Sequence, residues 1–172
     1  IYNPTNGSSI ASVRPTFEIR LPDEVNYIKI IVSDDTDENL QNENIYKLLD
    51  SEQIFPASTN PKIVNWQYPD QGISNGFHPG MKYYWQYLMY DDNSDLIGVL
   101  EDDYEVYYFN INPIKLDIPE NGEKNIALDP IFYWSGLEDV REYELRISDS
   151  NDPELSNPNF IISGITNKNY EI

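Results

Sequence analysis

Slid against itself by 115 residues, the chain matches itself. Pro4, Asn6 and Gly7 fall on Pro119, Asn121 and Gly122. Pro15 and Phe17 fall on Pro130 and Phe132, and Val25 on Val140. Ser33, Asp34 and Asp37 answer to Ser148, Asp149 and Asp152, and Leu40, Asn42 and Asn44 to Leu155, Asn157 and Asn159. From Pro4 to Tyr46 the match needs no gap, and 12 of 43 positions are identical. Roughly two or three would coincide by chance at ordinary residue frequencies. The other positions agree in kind. Ile19 stands against Trp134, and Ile28, Ile30 and Val32 against Tyr143, Leu145 and Ile147. Each triplet takes every second position, the period of a strand with one buried face. One folding unit is therefore used twice.

The repeat sets the expected domains. Residues 1–112 form a complete module, and residues 113–172 the N-terminal half of a second, homologous one. At the fixed offset Ile172 answers to Ala57, so strands are missing from the second copy. Half a sandwich exposes core surface and strand edges, a liability for a native protein. The expectation is that the chain is cut from something longer, or that the missing strands come from elsewhere. Ile1 in place of Met, with no signal-peptide pattern, fits a processed or excised piece. The junction Asn110-Ile111-Asn112-Pro113 leaves almost no flexible linker, as expected of a stiff row of modules.

Composition agrees with short strands. There are 14 tyrosines, 3 tryptophans and 6 phenylalanines, and 12 prolines punctuate the chain. Aromatic and β-branched residues favour pleated surfaces, while frequent Pro and Asn-Gly break helices. Strands are expected near residues 10–13, 16–20, 27–33, 62–66, 83–89 and 104–111, with 45–49 either a strand or a helical turn. Seven or so short strands in about 110 residues point to an all-β sandwich of two sheets.

Charge and cysteine content narrow the function. The formal charge is −19, which repels phosphate backbones and anionic membrane surfaces, so neither nucleic acid nor membrane insertion is expected. No apolar run approaches a membrane span. The absence of cysteine removes disulfides, zinc–thiolate sites and cysteine nucleophiles.

At Phe77-x-Pro79-Gly80-x-x-Tyr83 the sequence resembles the fibronectin type III family, and more broadly immunoglobulin-like sandwiches. The family carries proline and then a corner tyrosine whose hydroxyl bonds upstream backbone. Tyr83 matches the corner, and Trp85 and Tyr87 the inward positions after it. In the second module Trp134 matches the family's buried tryptophan, and Tyr143 and Leu145 its neighbouring core strand. Ile19 replaces that tryptophan in the first module. The whole pattern is similar to fibronectin-III-like modules of bacterial surface proteins. The resemblance implies tandem modules, structural roles for Phe17, Tyr83, Trp85, Phe132 and Trp134, and a secreted, periplasmic or cell-surface location. It implies no activity, because the fold hosts many roles.

The sequence offers few chemical candidates. His78 lies in a turn beside Pro79, with no nucleophile motif around it, and reads as a plain loop residue. No enzyme activity and no resident cofactor are expected. Calcium is the one candidate ion, since it favours carboxylates on loops. Its candidate ligands are Asp34, Asp35 and Asp37 and the recurring Asp149 and Asp152, with Asn39 and Asn151 as helpers; a solvated acidic turn explains them as well. Asp91, Asp92, Asp95 and residues 101–103 form a second acidic cluster. Trp66, Tyr68, Tyr84, Tyr90 and Tyr107 are the candidates for stacking on a glycan, against a role in lining the core. The expected role is a non-catalytic spacer or adhesion module that contacts neighbouring modules or other protein chains. The alternatives are a carbohydrate-binding accessory domain and a surface subunit completed by strand donation.

Overall fold

The computed structural model describes residues 2–22, 25–34, 40, 45–49, 62–68, 76–99, 106–149 and 155–172. Among them all regular secondary structure is β-strand, and the fold is all-β. The chain divides into two compact units, Ile1–Asn112 and Pro113–Ile172.

Unit 1 holds β1 (Tyr2–Asn3), β2 (Ser8–Ile10), β3 (Thr16–Leu21), β4 (Tyr27–Asp34), β5 (Ile45–Leu49), β6 (Lys62–Gln67), β7 (Lys82–Tyr90), β8 (Leu96–Val99) and β9 (Tyr107–Ile111). One sheet has the order β1-β3-β6. The other has the order β2-β9-β7-β4-β5, with β8 also paired to β7. The period-2 pattern dictates what faces inward. Phe17, Ile19 and Leu21 of β3 are buried while Glu18 and Arg20 are exposed. Tyr83, Trp85 and Tyr87 of β7 are buried in the same way. The two sheets meet through rings. Phe17 lies 5.2 Å from Trp85 and 6.0 Å from Phe109, edge to face in both cases.

The corner before β7 forms as the tyrosine pattern predicts. The Tyr83 hydroxyl accepts a hydrogen bond from the His78 backbone N–H at 2.9 Å. Phe77 N–H donates to the Val13 carbonyl at 2.8 Å. This places Gly76 so close to Val13 that a Cβ there would collide with its carbonyl oxygen.

Unit 2 holds β10 (Lys115–Ile118), β11 (Ile131–Ser135), β12 (Tyr143–Ile147), β13 (Phe160–Ile165) and β14 (Asn169–Glu171). Its sheets are β10-β11-β14 and β12-β13. These strands repeat β1, β3, β4, β5 and β6. Asn3 pairs with Glu18, and Ile118 with Tyr133. Ile30 pairs with Lys47, and Leu145 with Ile162. Unusual backbone recurs too: Gly7 and Gly122 have φ of 75° and 81°, Leu40 and Leu155 of 52° and 46°. A bulky residue seldom takes a positive φ, so the recurrence at Leu is a specific mark of shared geometry. The Asn3-Pro4 and Ile118-Pro119 bonds are both cis.

Of the two forms left open for residues 45–49, Ile45–Leu49 takes the strand, because β4 supplies its pairing edge. Other expectations are corrected. The strand expected at 10–13 is Ser8–Ile10, set by parallel pairing of Ser8–Ile10 with Phe109–Ile111. The last strand of unit 1 starts at Tyr107; residues 104 and 105 lie outside the described residues. Tyr2–Asn3 and Leu96–Val99 are strands too short to read as periodic patterns. Ile172 answers to Tyr68, not to Ala57. Tyr68 N–H donates to the Pro15 carbonyl and Ile172 N–H to the Pro130 carbonyl, each at 3.3 Å. The connection runs from Leu49 to Lys62 in unit 1 but only from Ile165 to Asn169 in unit 2. The offset therefore falls from 115 to 104, and unit 2 reaches one strand further than an ungapped match implies.

Candidate functional site

Two of the candidate glycan-stacking rings are core residues. Trp66 and Tyr107 are each only 6% exposed. Trp66 stands opposite Phe17 in the β3–β6 pairing and stacks on it at 5.1 Å. Tyr107 stands opposite Trp85 and packs on it at 5.8 Å. Their strand registers send both side chains inward, so neither can offer a flat face to a sugar. Tyr68 is half-buried against Phe77 at 4.6 Å, and that burial raises its hydroxyl pKa. Tyr90 is half-buried at the end of β7. Tyr84 points to the outer face of β7 and meets Tyr108 at 6.3 Å, with ring planes 57° apart. Lys82 Nζ sits 5.7 Å and 5.2 Å from the two ring centroids, a cation held over both rings. Two rings so inclined make no coplanar platform. Sequence reading missed Tyr108 because strand periodicity alone does not say which outward positions are neighbours across strands.

Of the candidate calcium ligands, only Asp34 and Asp149 are among the described residues. Asp34 ends β4, half-buried; Asp35, Asp37, Asp152, Asn39 and Asn151 lie outside the described residues. Asp149 is exposed. Its backbone N–H donates to Asn159 Oδ1 at 3.0 Å, and the Ser148 hydroxyl to the same oxygen at 3.3 Å. Asn159 thus closes the turn after β12 through backbone. Asp91 does the same after β7: its Oδ1 accepts from Asn93 N–H and Asp95 N–H, both at 2.9 Å. These are side chains binding their own turn. Among the described residues no three His, Cys, Asp or Glu side chains cluster as a metal group would require. Glu101, Asp102 and Asp103 lie outside the described residues. His78 is exposed, and its backbone serves the tyrosine corner.

The surface that stands out lies in unit 2. In unit 1, β4 pairs with β5 on one side and with β7 on the other, from Tyr27↔Tyr90 to Asp34↔Tyr83. Among the described residues β12 pairs with β13 alone. The side chains record the difference. Phe17, Ile28, Ile30 and Val32 are each 0% exposed, whereas Phe132, Tyr143, Leu145 and Ile147 are only half-buried. Leu116, Ile118, Phe160 and Ile161 are exposed, Phe160 by 63%. Unit 2 still has the start of a core. Trp134 is 7% exposed and meets Tyr143 edge to face at 5.3 Å, and Leu137 is 0% exposed. Among the described residues a half-covered apolar face therefore lies beside an edge of β12 that no strand pairs.

Polar contacts on β12 lie on its outward side. Glu144 accepts from Arg146 Nε at 2.6 Å and from the Ser163 hydroxyl at 2.9 Å. The Arg146 hydrogen bond, with help from Ser163, holds the Glu144 carboxyl below the usual carboxylate range. Among the described residues no helix is long and apolar enough to cross a membrane. In comparisons with known proteins, no family model matches the chain and no curated protein matches it.

Proposed function

We propose that this chain is a non-catalytic interaction module of a multi-domain secreted or cell-surface protein, built from tandem fibronectin-III-like sandwich units. Its contacts are with neighbouring modules or other protein chains. The observation that carries the reading is one strand geometry used twice in two compact units, with the same registers and the same left-handed turns. The strand order supports the sandwich class, because immunoglobulin-like folds likewise split their strands between a small sheet and a larger one. The Tyr83 corner supports it as well. The exported location rests on the family resemblance alone.

The reading separates from its rivals in a polysaccharide assay. The chain is mixed with insoluble cellulose, xylan and chitin, and both depletion from solution and release of reducing sugar are measured. Neither is expected. Retention on any of these would replace the protein-contact role with a carbohydrate-binding one, and sugar release would overturn the non-catalytic reading.

A further inference from the structure

The outward faces of the two small sheets differ at matching positions. In unit 1 the outer face of β1-β3-β6 is polar at Asn3, Thr16 and Glu18. Asn3 stands opposite Glu18, and Thr16 lies two residues before Glu18 on the same face. In unit 2 the same three positions of β10-β11-β14 are Ile118, Ile131 and Tyr133. Ile118 stands opposite Tyr133, and Ile131 lies two residues before it. Directly opposed residues and alternate residues of one strand are neighbours on a sheet face, so the three form one apolar patch. They are 49%, 39% and 40% exposed. The patch is distinct from the half-covered face at Phe132 and Trp134, which point to the core side of the same sheet. In unit 1, β7, β8 and β9 belong to the facing sheet, and Glu18, Arg20, Asn65 and Gln67 stay exposed on the outside of the small one. What covers the core side therefore leaves the outer face untouched.

The charges on this face are arranged about Tyr133. Lys115 on β10 stands opposite Ser135, and Glu171 on β14 stands opposite Ile131. Both therefore share the outward face of Tyr133. Each sits about 7 Å along the strand from it and about 5 Å to one side, in opposite senses. Lys115 Nζ lies 3.8 Å from Asp117 Oδ1, but the lysine side chain is 77% exposed and stays open to a further anion. A cation and an anion at opposite corners, equally far from a central ring, match a copy of themselves turned by a twofold rotation. An interface between identical copies needs such self-complementarity, and an interface with an unrelated partner does not.

We propose that the outer face of β10-β11-β14 is the surface through which two copies of this chain pair. A twofold axis over Tyr133 lays Lys115 of each copy over Glu171 of the other and packs Ile118, Ile131 and Tyr133 against their counterparts. The two β11 strands then cross steeply, near the orthogonal class of sheet packing. The face is small. Three strands of about five residues give a footprint of roughly 250 Å², against about 800 Å² of surface that each partner gives to a standard complex. Each copy also carries a formal charge of −19. The dimer is therefore weak, with a Kd of roughly 0.1–1 mM, and salt strengthens it by screening the repulsion between copies. This goes beyond the module reading and depends on neither the family class nor the exported location.

The test is sedimentation equilibrium of the full chain from about 10 μM to 1 mM, at roughly 0.01 M and 1 M salt, where the Debye length is about 30 Å and 3 Å. A monomer–dimer equilibrium that tightens at high salt is expected. The triple variant Ile118→Asn, Ile131→Thr, Tyr133→Glu places unit 1's own residues at the same strand positions, and should weaken pairing by more than about tenfold. Lys115→Glu should weaken it about threefold to tenfold, and Lys115→Glu combined with Glu171→Lys should restore it, because the exchanged pair keeps the same symmetry. Amide exchange along Ile131–Ser135 checks that each variant keeps β11 folded; where the triple variant does not, the charge exchange decides. A chain that stays monomeric at every concentration in both salts overturns the proposal. So does a dimer that survives the triple variant with β11 folded, or a charge exchange that fails to restore pairing. None of these results touches the module reading. Retention on polysaccharide would sink that reading and leave the dimer standing.

Discussion

Phe17 and Phe132 occupy the same place in the same strand of two copies of one unit, yet only Phe17 is sealed from water. Each sits opposite a ring on the neighbouring strand of its own sheet, Trp66 for one and Tyr170 for the other. What differs is the facing sheet. In unit 1, Trp85 and Phe109 arrive on β7 and β9 and close over Phe17. Among the described residues of unit 2 there are no such strands. The comparison separates two things that a complete sandwich confounds. Local pattern and turn chemistry are enough to set strand register, left-handed turns and the first sheet. A dry core needs the second sheet at full width, because apolar burial is the dominant favourable term and it scales with the area covered.

The largest expected effect breaks the comparison at its centre. Phe17→Ala should destabilise unit 1 by about 3–5 kcal/mol, the usual cost of emptying a sealed aromatic site. Phe132→Ala should cost about 1–2 kcal/mol, since less of its area is withdrawn from water. Denaturant unfolding of the full chain, followed by residue-resolved exchange in each unit, measures both. Equal costs would mean that unit 2 has a closed core.

Gly76→Ala should cost about 1–3 kcal/mol by forcing backbone away from Val13. Gly122→Ala should cost only the left-handed backbone penalty, about 1 kcal/mol, because its side chain would meet nothing. Thermal unfolding of the two variants checks the order. Tyr83→Phe should lose about 1 kcal/mol, as the His78 N–H loses its acceptor while the ring stays packed.

The smallest effect concerns the outward face of β12. Glu144 titrates below the usual carboxylate range because Arg146 and Ser163 donate to its charged form. Its contribution is present above the unfolded-state carboxylate pKa and is lost as pH falls through the depressed folded value. The pair is exposed, so the change in stability is slight. Carboxyl-carbon NMR should show Glu144 returning toward the ordinary range in Arg146→Gln, which would confirm that β12 is folded in the absence of a partner strand.

Much of the fold could be read from the residues because the signals were local or repeated. Alternation at Phe17, Ile19 and Leu21 and at Tyr83, Trp85 and Tyr87 marked two buried strands. The Pro-Gly-x-x-Tyr run marked the corner. The self-match at an offset of 115 marks the second unit. Three things were hidden. The shortened connection after β13 breaks the ungapped offset, so the end of unit 2 was placed opposite Ala57. Trp66 and Tyr107 could be inward or outward until pairing with Phe17 and Trp85 fixed their faces. The grip of Asn6-Gly7 on Tyr108 joins residues a hundred positions apart, and no periodicity reports such a contact.

The central claim is that β12 is the counterpart of β4, a folded strand that among the described residues is paired on one side only where β4 is paired on both. Residue-resolved amide exchange on the dilute, monomeric chain reads this directly. Slow exchange throughout the interior of Tyr27–Asp34, with alternating slow and fast amides along Tyr143–Ile147, is the predicted result. Uniformly slow exchange across Tyr143–Ile147, or uniformly fast exchange there, would contradict the account.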